Sequence, residues 1–510
     1  MCLVRGLSVC LICGKVKTVF FPITQMLCAE WGYQRCESRA NGGSVGSRWC
    51  RKQKKESMSS KKIGTKTAST FVIANMIGTG VFTSLGFQLV SLTNPIAIAL
   101  IWLMGGLVAL CGAIVYSELG SAMPRSGGEY HYLSVIYHPI VGFMSGWTSL
   151  LVGFAAPVAL SSMAMSSYLC NIYPALDQKI LAMAVLTVIT LFHAIDAHVG
   201  TKMQNLLTTV KIAIIVVFIV AGLIVAPEGA ANFDSVGDFQ WGDVFSPAFA
   251  VSLVWVYYAY SGWNAAAYIS GDIENPQRNV PLALLSSTLF VIVLYLCLNM
   301  VFLRTTPVDE MVAQIEIGLI SARHIFGIQG GEIMGILITI MLVSSISSMV
   351  YVGPRVVVSM GEDHRLFRFL TKKNAKGCPS IAIWTQYLIS SVMLLTGSFK
   401  LITQYTGVVL SFCALLTVAG VIVHRHRFPD AERPYKTWAY PLPAILFCVI
   451  ILWTIVYMMY NDYVETFVEG RQDAPWTMIL SLGTILTGAF FYWVNKLLES
   501  RKKAAESIEE

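Results

Sequence analysis

The sequence predicts an all-α integral membrane protein that crosses a lipid bilayer about twelve times, on the strength of three observations. Hydrophobic residues make up 55% of the 510-residue chain and charged residues only 13%, whereas about a quarter of the residues in a soluble protein are charged. Apolar segments long enough to span a bilayer recur from Ala68 onward. Lysine and arginine residues collect in alternate loops, a pattern typical of membrane proteins.

The apolar segments give the number of predicted spans. Short polar breaks separate them, and each segment can cross a hydrocarbon core of about 30 Å as a helix. The third is longer than this requires, which a tilted helix accommodates. We number them spans 1 to 12 and predict them near 68–90, 96–119, 134–170, 180–196, 201–226, 246–269, 281–303, 331–358, 380–397, 400–423, 440–460 and 475–496.

The charges predict the orientation. The loop 227–245 has four acidic residues and no basic one. The loops after spans 8 and 10 and the C-terminal tail are basic instead, with Arg365, Arg368, Lys372, Lys373, Lys376, Arg425, Arg427, Arg433, Lys436, Lys496, Arg501, Lys502 and Lys503. Both termini are therefore predicted to be cytoplasmic. The formal net charge of +7 is attributed to this orientation, and no nucleic-acid partner is expected.

The first 57 residues differ from the rest of the chain. They have no clear helical or strand period, and their apolar run at 7–13 is too short for a span or for the core of a signal peptide. We expect translation to begin at Met58, so that 1–57 are a non-native extension; the alternative is a disordered cytoplasmic arm. The membrane domain is predicted at 58–497, and a charged cytoplasmic tail at 498–510.

The twelve cysteines do not indicate a metal site. Six lie within the first fifty residues, and the others are scattered singly through apolar helices or their ends, where cysteine behaves as a small hydrophobic residue. Cys10 and Cys13 form a single C-x-x-C pair, and a zinc site of this kind needs a second pair. Neither a metal nor a cofactor is predicted.

Two spans contain glycine runs where the helix can open. Span 1 has Ile-Gly-Thr-Gly-Val at 77–81, and span 6 has Tyr-Ser-Gly-Trp at 260–263. Glycine tolerates non-helical backbone, which at membrane depth persists only inside the protein or along a cavity. Paired interruptions at corresponding positions of two five-helix halves indicate the substrate site of a transporter. The alternative is close helix packing through small residues.

An opened helix offers two kinds of binding group. The half that starts again has free amides, which suit a carboxylate, and the half that stops has free carbonyls, which suit an ammonium group. Such a site fits a zwitterion, of which an α-amino acid is the obvious example. The Thr79 hydroxyl can add a donor, and the Tyr258 ring can cover the ligand, unless it is an ordinary packed aromatic residue.

Lys211 lies in the middle of span 5, in an otherwise apolar segment. A charge at this depth costs at least ~2.5–3.5 kcal/mol, so a functional role is the first interpretation. Snorkelling toward an interface is the alternative, although about ten residues separate Lys211 from either end of its span. Span 8 offers hydroxyl groups as partners, foremost Ser344 and Ser345.

Four motifs in the same order between Lys61 and Lys496 give the chain a family resemblance. They are Ile77–Phe82, then Tyr116–Leu119 running into Pro124–Tyr130, then Tyr258–Asn264 followed by Glu274–Pro276 and Arg278–Asn279, and finally Phe428–Pro429 with Arg433–Lys436. The chain resembles the amino acid–polyamine–organocation (APC) superfamily, and within it the L-type amino acid transporter (LAT) family and its bacterial relatives. The resemblance implies two inverted five-helix repeats plus two further helices, and transport by alternating access.

The resemblance also implies a site. The substrate carboxylate would meet amides around Thr79 and Gly80, and the amino group would meet carbonyls near Met76, Tyr258 and Ser261. Tyr258 would be a gate. Many members have phenylalanine at this gate and a second glycine where this chain has Ser261, which affects the pocket size. The full predicted set is Met76, Ile77, Gly78, Thr79, Gly80, Tyr258, Ala259, Ser261 and Asn264.

Coupling and partners follow from the same resemblance. In sodium-independent members a lysine on the fifth helix fills the place of a sodium ion, and Lys211 matches it. Animal members join a glycoprotein through a loop cysteine. Cys170 lies near that position but ends a helix, so no such partner is expected. The plasma membrane, or the inner membrane of a bacterium, is the expected location.

Several functions stay open at this point. The first is sodium-independent transport or exchange of small neutral L-amino acids. The others are a proton- or sodium-coupled symporter, a carrier of cationic amino acids or polyamines, and a sensor that does not transport. No acidic residue lies within the two interrupted segments to pair a cationic side chain. An enzyme is not expected, because the histidines lack metal spacing and lie mostly in loops or at helix ends.

Overall fold

The computed structural model describes residues 62–195, 197–224, 238–464 and 477–509, together with Phe233 and Val468. The side chains of 197–203, Met478 and 501–509 are not described. The predicted extension 1–57 lies outside these residues, as does much of the loop 227–245. Within the described ranges the chain is helical apart from its loops, and its one pairing of extended backbone is a bridge between Ile63 and Ile273.

The helices form two halves of five spans and a final pair. The first half comprises Thr65–Met76 with Thr79–Gln88 (span 1), Pro95–Ala122 (span 2), Pro139–Thr148 with Ala155–Ile172 (span 3), Gln178–Ile195 (span 4) and Ala197–Ile224 (span 5). The second comprises Pro247–Tyr260 with Ala265–Tyr268 (span 6), Pro276–Thr305 (span 7), Ile317–Asp363 (span 8), Ser380–Thr396 (span 9) and Phe399–Arg427 (span 10). Leu442–Tyr463 and Thr477–Glu509 are spans 11 and 12.

The length and apolarity of these helices agree with a membrane fold. Nine helical segments of the described chain are long and apolar enough to cross a bilayer, and Pro247–Tyr260 and Ser380–Thr396 are shorter apolar helices. The last helix begins with an apolar segment and continues through the predicted tail to Glu509. The predicted all-α membrane fold with interrupted spans 1 and 6 is confirmed.

Two span boundaries differ clearly from the prediction. Span 3 begins at Pro139 instead of 134, because His138 has extended backbone and its Nδ1 accepts a hydrogen bond from the amide of Ile140 at 3.3 Å. Proline fits the first turn of a helix, where its missing N–H has no partner to lose. Residues Glu129–Ile136 form a separate short helix.

Span 8 was predicted at 331–358 and is longer, Ile317–Asp363. Its helical backbone is broken at Gly327, whose φ is +73°. Glycine occupies this left-handed region without the steric cost that a Cβ would add. The apolar pattern of the second helical part therefore predicted the span, while the short helix before Gly327 was missed.

The helices differ in how deeply they are buried. In the most apolar part of spans 1 and 3, 83% of the residues are buried, compared with 28% in span 5. Exposed faces of spans 5 and 11 are apolar, with Val217, Leu223, Val449 and Leu452 as examples. Spans 1 and 3 are therefore central, and spans 5 and 11 present apolar surface to lipid.

A buried carboxylate joins span 2 to the end of span 10 and to the segment that follows it. Glu118 accepts two hydrogen bonds from Arg425, at 2.8 and 2.6 Å, and one from the amide of Thr437 at 2.7 Å. The Nε of Arg433 lies 3.5 Å from the same carboxylate. The side chain of Glu118 is fully buried, so two guanidinium groups compensate its charge where water does not reach. Two of the basic residues that predicted the orientation thus also have a structural role.

Candidate functional site

Span 1 is interrupted where its sequence predicts. Its first helix ends at Met76 and its second begins at Thr79. Between them, Ile77 and Gly78 leave the helical region, with φ/ψ of −75°/87° and −127°/−146°. The break leaves carbonyls of the first helix and amides of the second without helical partners. The amide end at Thr79 carries a partial positive charge, which favours an anionic group.

Span 6 is interrupted in a similar way. Its long helix ends at Tyr260, and a single helical turn follows at Ala265–Tyr268. Ser261 has φ/ψ of −55°/150°, and Gly262 has φ of +94°. Only glycine adopts this φ readily, so Gly262 allows the chain to turn at this point.

Two glycine contacts hold the breaks against each other. A Cβ on Gly80 would lie 2.3 Å from the Cα of Ala259, and a Cβ on Gly262 would lie 2.8 Å from the carbonyl carbon of Asn75. Neither neighbour is a flexible side-chain end that could move aside cheaply. The absence of a side chain at these glycines is therefore what lets the two breaks meet.

Buried donors from other spans satisfy the carbonyls at the break in span 1. The carbonyl of Met76 accepts a hydrogen bond from the hydroxyl of Tyr295, on span 7, at 2.6 Å. The next carbonyl, of Ile77, accepts from the ammonium of Lys211 at 2.6 Å and from the hydroxyl of Ser345 at 2.8 Å. The resemblance implied a free carbonyl near Met76, and the structure gives this carbonyl an internal partner.

Lys211 is buried, with 1% of its surface exposed. Besides the carbonyl of Ile77, its Nζ lies 2.8 Å from the hydroxyl of Ser345, so it connects spans 5, 1 and 8. Ser344, the other predicted partner, faces Gln204 instead, whose Nε2 lies 3.5 Å from its hydroxyl. No carboxylate of the described chain forms an ion pair with Lys211.

The predicted gate residue closes over the amide end of the break. The hydroxyl groups of Tyr258 and Thr79 lie 2.8 Å apart. Nearer the Gln88 end of span 1, the ring of Phe87 stacks on Trp255 at 4.4 Å and on Phe399 at 6.0 Å, measured between ring centroids. This side of the break is therefore closed by direct contacts between spans 1, 6 and 10.

A small cavity of about 80 Å³ lies beside the breaks. Residues of spans 2, 3, 6, 8, 10 and 11 line it, together with Asn75. Of the predicted substrate residues, Tyr258, Ser261 and Asn264 line the cavity. The others do not line it: Met76, Ile77, Gly78, Thr79, Gly80 and Ala259. The closed Tyr258–Thr79 contact and the packing of Gly80 on Ala259 account for this division.

Sequence reasoning missed Glu129, which lines the same cavity and is 2% exposed. Its carboxylate accepts hydrogen bonds from the hydroxyl of Tyr116 at 2.6 Å and from the amide of Asn264 at 3.1 Å. Burial raises the pKa of Glu129 from 4.5 to about 7, although these hydrogen bonds oppose the rise. The preceding Gly127 and Gly128 both have positive φ, and this turn brings the short helix back to the breaks. The Gly-Gly-Glu run is the signal that could have found it.

Comparison with known families identifies the chain. Residues 63–490 match the family model described as amino acid permease. The chain belongs to the amino acid permease family. Together with the spans described above, this makes the protein a multi-pass membrane permease for amino acids, and its family activity is transport rather than catalysis. The predicted APC and LAT resemblance is confirmed.

Several curated relatives of this permease are amino acid transporters. The b(0,+)-type amino acid transporter 1 of Mus musculus is 25% identical over 447 residues, which cover 85% of this chain and 88% of the relative. The Asc-type amino acid transporter 1 of Mus musculus is 24% identical over 462 residues, covering 88% and 84%. The large neutral amino acids transporter small subunit 2 of Oryctolagus cuniculus is 24% identical over 454 residues, covering 87% and 82%.

Proposed function

We propose that this permease transports or exchanges small neutral L-amino acids by alternating access and without sodium. The observation that carries the proposal is the position of Lys211, whose ammonium joins the break in span 1 to Ser345 on span 8. A permanently attached cation at this point does what a bound sodium ion would do for the same carbonyl and hydroxyl oxygens. No second cation is then needed to tie span 1 to its neighbours.

A zwitterionic substrate fits the chemistry of the two breaks. The amides that open the second helix of span 1, around Thr79 and Gly80, suit a carboxylate. The amino group would bind near the break in span 6, where Ser261 and Asn264 line the cavity. Aromatic rings line much of the rest, including those of Phe154 and Trp263, which favours small side chains. Tyr258 would part from Thr79 to admit the substrate and close again over it.

The substrate is tested by uptake of a panel of radiolabelled amino acids into proteoliposomes in choline medium. We expect alanine and serine to be taken up, and faster when the vesicles are preloaded with an unlabelled neutral amino acid. Leucine and arginine should be taken up more slowly. Arginine as the best substrate would contradict the neutral class, and uptake of no amino acid would contradict the whole proposal.

A second candidate, proton-coupled uptake, is favoured by Glu129. This carboxylate lines the cavity and is bonded to neutral groups only, Tyr116 and Asn264. A proton bound there would remove a buried charge that has no cationic partner in the described structure. An inward proton gradient should then accelerate wild-type uptake, whereas Glu129→Gln should keep exchange and lose the acceleration. No acceleration of the wild-type protein would leave plain exchange as the function, and equal acceleration of both proteins would show that a group other than Glu129 binds the coupled proton.

We further propose that the protein lies in the plasma membrane, or the inner membrane of a bacterium, with both termini cytoplasmic. We also expect it to act without a glycoprotein partner. Cys170 lies inside the second helix of span 3, and its thiol contacts the carbonyl of Leu176 at 3.4 Å. Uptake by the purified chain alone would support this expectation, and activity only after addition of a second subunit would contradict it.

A further inference from the structure

Tyr295 makes a contact that no other described side chain makes: its hydroxyl bonds to the carbonyls of both breaks. It is completely buried in span 7. Its oxygen lies 2.6 Å from the carbonyl oxygen of Met76 in span 1 and 3.1 Å from that of Ala259 in span 6. Both carbonyls belong to ends of interrupted helices, where the usual amide partners are missing. One hydroxyl hydrogen thus serves the broken ends of two helices.

Other contacts make spans 1 and 6 one structural unit. The glycine contacts described above hold the two breaks together. Nearer the start of span 1, the amide of Ile63 donates to the carbonyl of Asp272 at 2.9 Å, and the amide of Glu274 donates to the carbonyl of Ile63 at 2.9 Å. Tyr295 adds a hydrogen-bonded connection between spans 1 and 6 at the level of the two breaks.

The neighbouring carbonyl bonds to a different part of the molecule. Met76 bonds to Tyr295 of span 7, while Ile77 bonds to Lys211 of span 5 and Ser345 of span 8. Two consecutive peptide carbonyls are therefore held by two separate groups of spans. Tyr295 ties the break to span 6, and Lys211 ties it to spans 5 and 8.

We propose that Tyr295 is a positioning residue for the transported amino acid, an inference that rests on the proposed function. Its hydroxyl keeps the amides at the break of span 1 at a fixed separation from the carbonyls at the break of span 6. A zwitterion must reach both sets of groups at once, so its affinity depends on this separation. Because the tie lies within the unit of spans 1, 6 and 7, it stays formed while that unit changes its contacts with spans 5 and 8.

Two conservative variants test the proposal. Tyr295→Phe removes the hydroxyl and keeps the ring. The matched control is Tyr137→Phe: this tyrosine is partly buried just after the short helix Glu129–Ile136, it does not line the cavity, and its hydroxyl donates to the carbonyl of Leu416 in span 10 at 3.1 Å. The control thus loses a hydroxyl to carbonyl bond that contacts neither break.

We expect Tyr295→Phe to raise KM for neutral amino acids about tenfold, the size expected when a buried carbonyl loses its donor, and to leave kcat nearly unchanged. Tyr137→Phe should change neither constant. The same change in both variants would overturn the proposal. So would a lower kcat at unchanged KM in Tyr295→Phe, since the bond would then act in the conformational cycle and not in alignment.

A second measurement does not depend on the substrate. In hydrogen–deuterium exchange of the purified full chain, Tyr295→Phe should exchange faster than wild type over 76–82 and 258–264, and Tyr137→Phe should not. Unchanged exchange in Tyr295→Phe would overturn the positioning role, even if amino acid uptake is confirmed. A wild-type protein that takes up no amino acid would refute the proposed function instead, while the exchange data would still report on the tie.

Discussion

Lys211 and Glu118 are both buried charges, and the structure compensates them in different ways. Glu118, near the end of span 2, accepts two hydrogen bonds from Arg425 and lies 3.5 Å from Arg433. Lys211, at the centre of the molecule, bonds only to neutral oxygens, those of Ile77 and Ser345. The Glu118 carboxylate is thus paired with groups of full opposite charge, whereas the Lys211 ammonium is stabilised only by the dipoles of neutral groups.

The difference indicates which region can change during transport. Separating the Glu118 carboxylate from its arginines would leave buried charges uncompensated, which costs several kcal/mol. Lys211 loses only two neutral acceptors if spans 1 and 8 move apart, and an ammonium group can rebind water or other carbonyls. We therefore assign Glu118 to a permanent tie at the end of the bundle and Lys211 to the moving centre.

The largest expected effect is on transport, from Lys211→Ala. Removing the ammonium leaves the carbonyl of Ile77 short of its strongest donor and disconnects span 5 from the break. We expect uptake to fall about a hundredfold while the protein still inserts and purifies as a folded monodisperse species. Lys211→Arg should also be poor, because a planar guanidinium does not replace a compact ammonium. Unchanged uptake in Lys211→Ala would show that Lys211 is not needed for transport and would contradict its assignment to the moving centre.

Glu118→Gln should affect stability more than transport. The amide keeps the shape but loses the charge that faces two arginines, so we expect the free energy of unfolding to fall by about 2 kcal/mol. Thermal unfolding in detergent measures this loss. Uptake normalised to folded protein should stay near the wild-type value. A normally stable but inactive variant would show that this end of span 2 also moves during transport.

Much of this comparison could be predicted from the sequence, but not all of it. A charged residue or a glycine run is easy to recognise inside an apolar span. The burial of Lys211 and the breaks at 77–81 and 260–263 could therefore be predicted, and the structure contains them. Glu118 and Glu129 were missed as buried groups because each is close to a polar loop, where an exposed carboxylate is the ordinary expectation. Their burial depends on how loops and short helices fold back over the bundle.

Tyr295 illustrates another limit. It is one of 21 tyrosines, and an aromatic residue in an apolar helix is most often a packing residue. Its two carbonyl contacts arise only once spans 1, 6 and 7 are assembled. The sequence pattern of a single helix does not reveal contacts that form among three helices.

Glu129 provides a smaller effect, on the pH dependence of stability. Its pKa is raised by burial from 4.5 to about 7. Between these values the folded protein holds a proton that the unfolded chain has released, so the contribution of Glu129 to the free energy of unfolding falls as pH rises from 4.5 to about 7. We expect Glu129→Gln to flatten this part of the dependence of Tm on pH. Identical profiles for both proteins would show that folding does not shift the pKa of Glu129.

The smallest effect is expected where neutral groups meet. Tyr258→Phe loses one hydroxyl contact with Thr79, worth about 1 kcal/mol, so uptake should change about fivefold at most. Tyr258→Ala also loses the ring that covers the break and should lose about tenfold or more. If both variants lose uptake equally, the hydroxyl is the important group, and if neither does, Tyr258 is a packing residue.

The most direct test of the central claim is initial-rate uptake of radiolabelled alanine by wild-type proteoliposomes, in sodium and in choline media of equal ionic strength. Because Lys211 already supplies the cation at the break of span 1, the account predicts the same rate in both media. A rate that rises steeply and saturably with sodium would contradict it, since the structure would then need an additional cation that Lys211 does not replace.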